Sequence, residues 1–490
     1  MADFTNMEWH PFLTQDSVEL VLHRWKAEDH HAPGVPVLLL HGASAGHETF
    51  MIPKPHGTEP RSLADWLHTQ GYEPWLLDWR GSKNITLKES NQRGELMAFR
   101  EGEIYNFDNV AKYDIPKALE EIRRLRDKQF PGDDKPIGAV GWCMGAGTLA
   151  QAIVQGHVSK KQHGLSHVVL MTLGLFYETP VDSRLKAEER LLEALIASES
   201  VSFVDPRVLK NEYNWPTTIQ ALYDGWSGRL KPHDDVEPNN ARGDDPTEKM
   251  RQALDMCNRL SFMYGMPYAE KNLVSEIHHP GWEMSFDSGK HNPSVGDEIK
   301  ITGSKAKGIL AYSRPLESGA WDTQNAAGKL VLTKVEGDFT KGESLAVKGN
   351  IIGTFRGLGE TIPPELLNQF GAIPINMYLH GAQNIRRGWA GTYVHRQRAV
   401  ANQLINIAAR KRFTDKDSFD QITLIGSSLN RLWHRESIDR MYEWLMQGNP
   451  GNQRKCRKVI FPNYGHQDLL WGKNAYKDVF PEIGKGLPKI

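Results

Sequence analysis

Short apolar runs alternate with amphipathic stretches through the first third of the chain, and this rhythm is the main clue to its architecture. Val18 to Trp25 alternates apolar and polar residues as a half-buried strand would. Val35-Pro36-Val37-Leu38-Leu39-Leu40 carries no polar position, and Tyr72 to Trp79 is nearly as apolar; the stretch from Ser62 to Gln70 between them has helical spacing. Asp114-Ile115-Pro116-Lys117 opens a further helix, with Asp114 as its expected N-cap and Leu119, Ile122 and Leu125 on one face. Ile137 to Val140 and Val168 to Thr172 are two more buried strands. Strands that are apolar throughout and separated by helices predict a parallel sheet covered on both faces. The same rhythm resumes at Gln421-Ile422-Thr423-Leu424-Ile425 and at Lys458-Val459-Ile460-Phe461, followed by an expected closing helix from Lys473 to Leu487.

Between these two blocks the texture changes twice. Arg184 to Ala197 and then Ile219 to Leu273 read as helical, the second stretch rich in aromatic residues. From about Gly281 to Ile362 glycines separate short alternating segments, and one segment has a counterpart. Gly296-Asp297-Glu298-Ile299-Lys300-Ile301-Thr302-Gly303 answers Gly342-Glu343-Ser344-Leu345-Ala346-Val347-Lys348-Gly349 at an offset of 46 (342 − 296). Duplicated β-hairpin units account for this, and predict a small β module.

Gly141-Trp142-Cys143-Met144-Gly145 is the stretch with the most chemistry. It has the spacing of a nucleophile elbow, with a cysteine where a serine is usual, between a predicted strand and the small-residue run Ala146-Gly147-Thr148-Leu149-Ala150. The turn must be tight enough to present the side chain at the strand tip, so a Cβ at either flanking glycine would clash. Such an elbow also leaves the Met144 N–H at a helix N-terminus, where it can hold an oxyanion. His41-Gly42-Ala43 follows the strand expected beside the elbow strand, and offers the Ala43 N–H as the second donor.

A cysteine nucleophile needs a base. His466, in Tyr464-Gly465-His466-Gln467-Asp468, follows the last predicted strand, and loops at the C-terminal ends of parallel strands open on one crevice. The orienting residue is open between Asn430, which lies in Ser427-Ser428-Leu429-Asn430-Arg431 where an aspartate is usual, and Glu436 or Asp439 just downstream. An asparagine would orient the ring through its side-chain carbonyl.

Composition narrows the class. The 490 residues carry 59 Lys+Arg against 60 Asp+Glu, which argues against a nucleic-acid or anionic-membrane partner. Mean hydropathy is −0.51 and no long apolar run occurs, so no transmembrane segment is expected. The N-terminus has neither a basic start nor an apolar stretch, and three cysteines (Cys143, Cys257, Cys456) are too few for a disulfide framework; a cytoplasmic protein is the simplest expectation. His278-His279 has no companion ligand cluster, so neither a metal nor another cofactor is expected, and Met263 and Met266 read as packing residues.

As an ordered set, Leu40 to Ala43, Trp75 to Ser82, Phe107 to Pro116, the Cys143 elbow, Cys257 to Gly265 and Tyr464 to Asp468 resemble the α/β-hydrolase superfamily. More narrowly they resemble the hydrolase-like domain fused to cholesterol-oxidase-type (GMC) oxidoreductases, with features of acid lipases and polyhydroxyalkanoate synthases. The resemblance implies Cys143 as nucleophile and His466 as base. The expected organisation is an N-terminal core part at 1–174, a helical lid at 175–280, the duplicated β module at 281–362, a lid return at 363–420 and a C-terminal core part at 421–490. Aromatic lid residues (Trp215, Tyr223, Trp226, Phe262, Tyr264) suit a lipid-like ester. The expected function is hydrolysis of an ester or thioester of an apolar acyl group through a Cys143 thioester. The alternatives are an acyltransferase of the polyhydroxyalkanoate-synthase type, and a non-catalytic binding or structural protein that displays the β module to a partner of unknown nature.

Overall fold

The computed structural model describes residues 7–26, 34–51, 62–85, 105–190, 203–204, 281–361 apart from 295, 314–315 and 338, 369–394 apart from 372, 404–447, and 455–490 apart from 473. The stretch from Cys257 to Gly265, the pair His278-His279 and the aromatic lid residues lie outside them. The chain divides into two compact units, one holding residues 1–234, 258–273 and 369–490, the other 235–257 and 274–368.

In chain order the strands of the first unit are β1 (Met7–Leu13), β2 (Glu19–Trp25), β3 (Val35–Leu40), β4 (Tyr72–Asp78), β5 (Ile137–Trp142), β6 (Leu165–Met171) and the short β7 (Phe203–Val204). The strands of the second unit are β8 (Gly281–Gly289), β9 (Glu298–Ile301), β10 (Lys307–Ser313), β11 (Ala326–Glu336), β12 (Ser344–Val347) and β13 (Asn350–Thr361). The chain then returns to the first unit with β14 (Ile373–Pro374), β15 (Gln421–Ser427) and β16 (Cys456–Phe461).

Eight strands form the main sheet in the order β1-β2-β4-β3-β5-β6-β15-β16. From β4 to β16 every neighbouring pair is parallel, while β1 and β2 are antiparallel at one edge. β3, β4 and β5 are buried at every position, as suits the apolar β3 and β5 in a sheet with helices against it, while β4 also buries Glu73 and Asp78. β4 departs from β3 on one side and β5 on the other, so the order reverses at β3 and a crevice opens at the C-terminal ends of these strands. This is an α/β-hydrolase fold with an additional β unit.

The predicted strands lie where expected, and the differences have physical causes. β1 was not anticipated: it is an edge strand with mixed exposure and a proline, Pro11, which an outer strand tolerates. Asp114 makes no side-chain cap; a π-helical turn, Val110–Asp114, runs straight into the helix Ile115–Gln129. Its carboxylate is taken instead by Arg80, whose buried guanidinium needs a counter-charge: Asp114 accepts from the Arg80 N–H at 3.0 Å and from Nε at 2.8 Å. The closing helix expected from Lys473 to Leu487 is broken into Ala475–Asp478 and Phe480–Gly484, and a further short helix, Asp468–Trp471, precedes it.

The second unit is a closed barrel in the order β10-β11-β8-β13-β12-β9 around Met284, Phe286, Ile299, Ile301, Leu310, Leu330, Leu332, Leu345 and Phe355. The sequence repeat is its symmetry. Lys300 faces Ala346 across β9 and β12, and Met284 faces Leu330 across β8 and β11; each pair is 46 residues apart (346 − 300, 330 − 284). A local two-fold axis therefore passes through both pairs. The turns follow it too, with the offset falling to 45 (355 − 310) where they meet the next strand. The Gly296 N–H donates to Leu310 O at 2.7 Å and the Leu310 N–H to Asp297 O at 2.9 Å, mirrored by Gly342 to Phe355 O at 2.8 Å and Phe355 to Glu343 O at 2.8 Å.

Candidate active site

The elbow forms because two positions have no room for a side chain. A Cβ on Gly145 would lie 2.3 Å from Leu40 O, and one on Gly141 would lie 2.6 Å from Ala146 Cα. Cys143 itself sits at φ 56° and ψ −128°, a conformation that non-glycine residues avoid, between β5 and the helix Met144–Gln155. Its N–H donates to Met171 O at 3.1 Å and its carbonyl accepts from Ala146 at 3.0 Å, which ties the strained residue to the next strand and the helix.

Cys143 is 6% exposed. Burial pushes its thiol up to about 11, opposed by the Trp433 side chain and by hydrogen bonds from the backbone N–H groups of Met144 and Ala43. The Met144 and Ala43 amides are the two expected from the sequence to form an oxyanion hole. A hypothetical Cβ on Gly42 would lie 3.0 Å from Cys143 Cβ, which shows how closely the β3 loop approaches the nucleophile position.

His466 follows β16, and Asn430 follows β15. The two loops are laced together by Ser428 N–H to Phe461 O at 3.0 Å, Leu429 N–H to Tyr464 O at 3.1 Å and the Ser427 hydroxyl to Gly465 O at 3.3 Å. The His466 ring is buried, 5.0 Å from that of Trp142, the residue that precedes Cys143 in the chain. Burial alone pushes its pKa down to about 3, and Nε2 has no hydrogen-bond partner among the described residues.

Of the orienting candidates, Asn430 meets the ring: its Nδ2 lies 3.2 Å from His466 Nδ1. The expected contact through the side-chain carbonyl is reversed. Oδ1 accepts from the backbone N–H groups of Leu432 and Trp433, at 3.0 Å each, which leaves the NH2 end for the imidazole. Glu436 is exposed at the start of the helix Glu436–Met446, with its carboxylate 3.8 Å from His434. Asp439 pairs with Lys458 at 2.6 Å.

Sequence reasoning missed the polar cluster behind the β3 loop. Asp78, at the end of β4, accepts from His23 Nε2 at 2.9 Å and His47 Nδ1 at 2.8 Å, and from the Ser82 hydroxyl at 2.8 Å. His41, the first residue of the His-Gly pair, has its Nε2 3.8 Å from the same carboxylate. Burial opposes a charge on His47, but Asp78 outweighs it and raises the pKa. Burial likewise opposes a charge on Asp78, yet the two imidazoles hold its carboxyl well below the usual range. Among the described residues, His23, His47 and Asp78 form the one group with ligand atoms close enough together, within 4.8 Å, to hold a cation; here both imidazoles are spent on Asp78. A signal existed: Asp78 closes a buried strand, where a carboxylate requires partners.

No protein-family model matches this chain, and no curated protein matches it in sequence. Its strand order and elbow place it in the α/β-hydrolase fold class. Among solved structures, the chain is similar to a lipase in an open form (9% identity, 98% of this chain and 97% of that one, TM-score 0.41). It is also similar to a thermostable carboxyl esterase from Bacillus coagulans in complex with glycerol (10%, 98% and 96%, 0.41). A third is a soluble variant of monoglyceride lipase from Saccharomyces cerevisiae in complex with a substrate analogue (10%, 99% and 95%, 0.41). No helix among the described residues is long and apolar enough to cross a membrane.

Proposed function

We propose that this chain is an acyl-transfer enzyme of the carboxylic-ester-hydrolase type, with Cys143 as nucleophile. The observation that carries this reading is the elbow: a residue held at φ 56° between a strand tip and a helix N-terminus, with the Met144 and Ala43 N–H groups as the donors expected from the sequence. Those donors suit the oxyanion that forms when a carbonyl carbon takes the sulfur. The S–C bond forms as the thiol proton passes to Nε2 of His466, and that proton then goes to the departing alkoxide or thiolate. Water or an acceptor alcohol next attacks the thioester, giving its proton to the same nitrogen, and the sulfur leaves with it. The ester or thioester of an apolar acyl group expected from the sequence fits this scheme. Every residue named serves hydrolysis and transfer alike.

Incubation with a nitrophenyl ester and with an acyl-CoA, followed by intact-mass measurement, tests the proposal. The expected result is an acyl adduct on Cys143 that is absent from Cys143→Ala. Free acid among the products marks hydrolysis, and an acylated acceptor marks transfer. Turnover by Cys143→Ala within about tenfold of the parent would remove the thiol from the mechanism. A second reading, a non-catalytic binding protein on a hydrolase scaffold, draws support from a thiol and an imidazole that both rest uncharged. It predicts no adduct with either reagent.

A further inference from the structure

The polarity of one buried amide has a chemical consequence. Asn430 Oδ1 receives two backbone N–H donors, from Leu432 and Trp433, at 3.0 Å each. Turning the amide over would set an NH2 group against both donors and forfeit both hydrogen bonds, so the backbone fixes which end is which. The end that faces His466 Nδ1, at 3.2 Å, is therefore Nδ2, which can only donate. A ring nitrogen that accepts a hydrogen bond carries no proton.

We propose that Asn430 is a positioning residue that holds the His466 proton on Nε2, so that this nitrogen is a hydrogen-bond donor and its role as base is held back. The proposal rests on the acyl-transfer reading and names what limits that same site. A base at Nε2 needs its lone pair there and its proton on Nδ1, against an acceptor. Here the proton and the lone pair are exchanged. The amide opposes the imidazolium too, since Nδ1–H would then face Nδ2–H. The buried Nε2 finds no acceptor among the described residues, and in this tautomer it takes the thiol proton only after its own proton has moved to Nδ1.

An aspartate at position 430 would restore the conventional arrangement without a change of shape. One carboxylate oxygen would keep the Leu432 and Trp433 donors, and the other would accept from Nδ1–H. The opposite exchange, aspartate to asparagine in a serine protease triad, lowers turnover by about 10⁴ through the wrong tautomer. Asn430→Asp is accordingly expected to raise ester turnover and alkylation of Cys143 by iodoacetamide at pH 7 by tenfold or more.

The decisive measurement is ¹⁵N NMR of the full chain with labelled histidine, the His466 signals being assigned by their loss in His466→Gln. The parent is expected to show a protonated Nε2 and an unprotonated Nδ1; Asn430→Asp should show the reverse. A protonated Nδ1 in the parent overturns the proposal, and needs no variant to be seen. An Asn430→Asp chain with the parent's tautomer overturns it as well. The exchanged tautomer in Asn430→Asp without turnover or a Cys143 adduct leaves the tautomer assignment standing and removes the acyl-transfer reading instead.

Discussion

The two units of this molecule use glycine for opposite reasons. At the elbow, Gly141 and Gly145 are surrounded by backbone, and the requirement is the absence of a Cβ. In the barrel, Gly296 (φ +91°) and Gly342 (φ +94°) face open space, and the requirement is the torsion angle itself. The elbow is a single construction in which one atom out of place closes the turn. The barrel turns are a duplicated device, made twice at the same local position. Contrast of this kind separates a region organised around a reactive atom from one organised around its own closure.

Substitutions can break or sharpen that contrast. Gly145→Ala forces a Cβ against the carbonyls of Leu40 and His41, 2.3 and 2.5 Å away, neither of which can retreat. A loss of about 4 kcal/mol in urea unfolding, together with loss of ester turnover, is expected; a fully stable, active variant would show that the turn is looser than described.

Asp78→Asn removes the carboxylate shared by His23 and His47 and should cost about 3 kcal/mol near pH 6. The pH dependence has a definite sign. Asp78 is depressed in the folded chain, so its contribution is present above the ordinary carboxylate pKa and lost as pH falls through the folded value. His47 is raised, so its contribution is complete below the ordinary imidazole pKa, about 6.5, and fades as pH rises through the folded value. The deficit of Asp78→Asn should therefore be largest between about pH 4 and 6.5 and shrink on the alkaline side. A deficit that grows above pH 8 would contradict the charge assignment.

Gly296→Ala and Gly342→Ala should each cost about 1 kcal/mol, by equal amounts within error, because both pay only for a positive φ. Unequal losses would mean that the two-fold relation does not extend to the energetics. Glu436→Gln, on an exposed side chain, should change ester turnover by less than about twofold. A larger effect would return Glu436 to the site in place of Asn430.

Much of the architecture was legible in the sequence because burial on both faces of a parallel sheet writes itself as unbroken apolar runs. Val35–Leu40 matches its expected strand residue for residue, while the repeat from Gly296 to Gly303 pointed to duplicated β-hairpin units and not to the closed barrel in which β9 pairs with β12. What escaped was polarity that depends on long-range partners. Asp114 looked like a cap by its place before Ile115-Pro116, and only the fold brings Arg80 to it. Asn430 was legible as a residue, by its place after β15, but not as an oriented dipole. Its direction comes from the chain doubling back at Leu432 and Trp433. The edge strand Met7–Leu13 does alternate, Met7, Trp9, Pro11 and Leu13 against Glu8, His10 and Phe12, but Trp9, Pro11 and Leu13 are exposed, so its apolar set does not mark a buried face.

The dyad through Lys300/Ala346 and Met284/Leu330 has a consequence for how such a barrel could arise. Within each half only one strand pair forms, β9–β10 or β12–β13, while β8 and β11 pair solely across the halves, so a chain bearing one copy would find its complement in a twin rather than in itself. Tandem fusion makes that meeting intramolecular and independent of concentration, after which the copies are free to diverge everywhere except at the contacts on the axis.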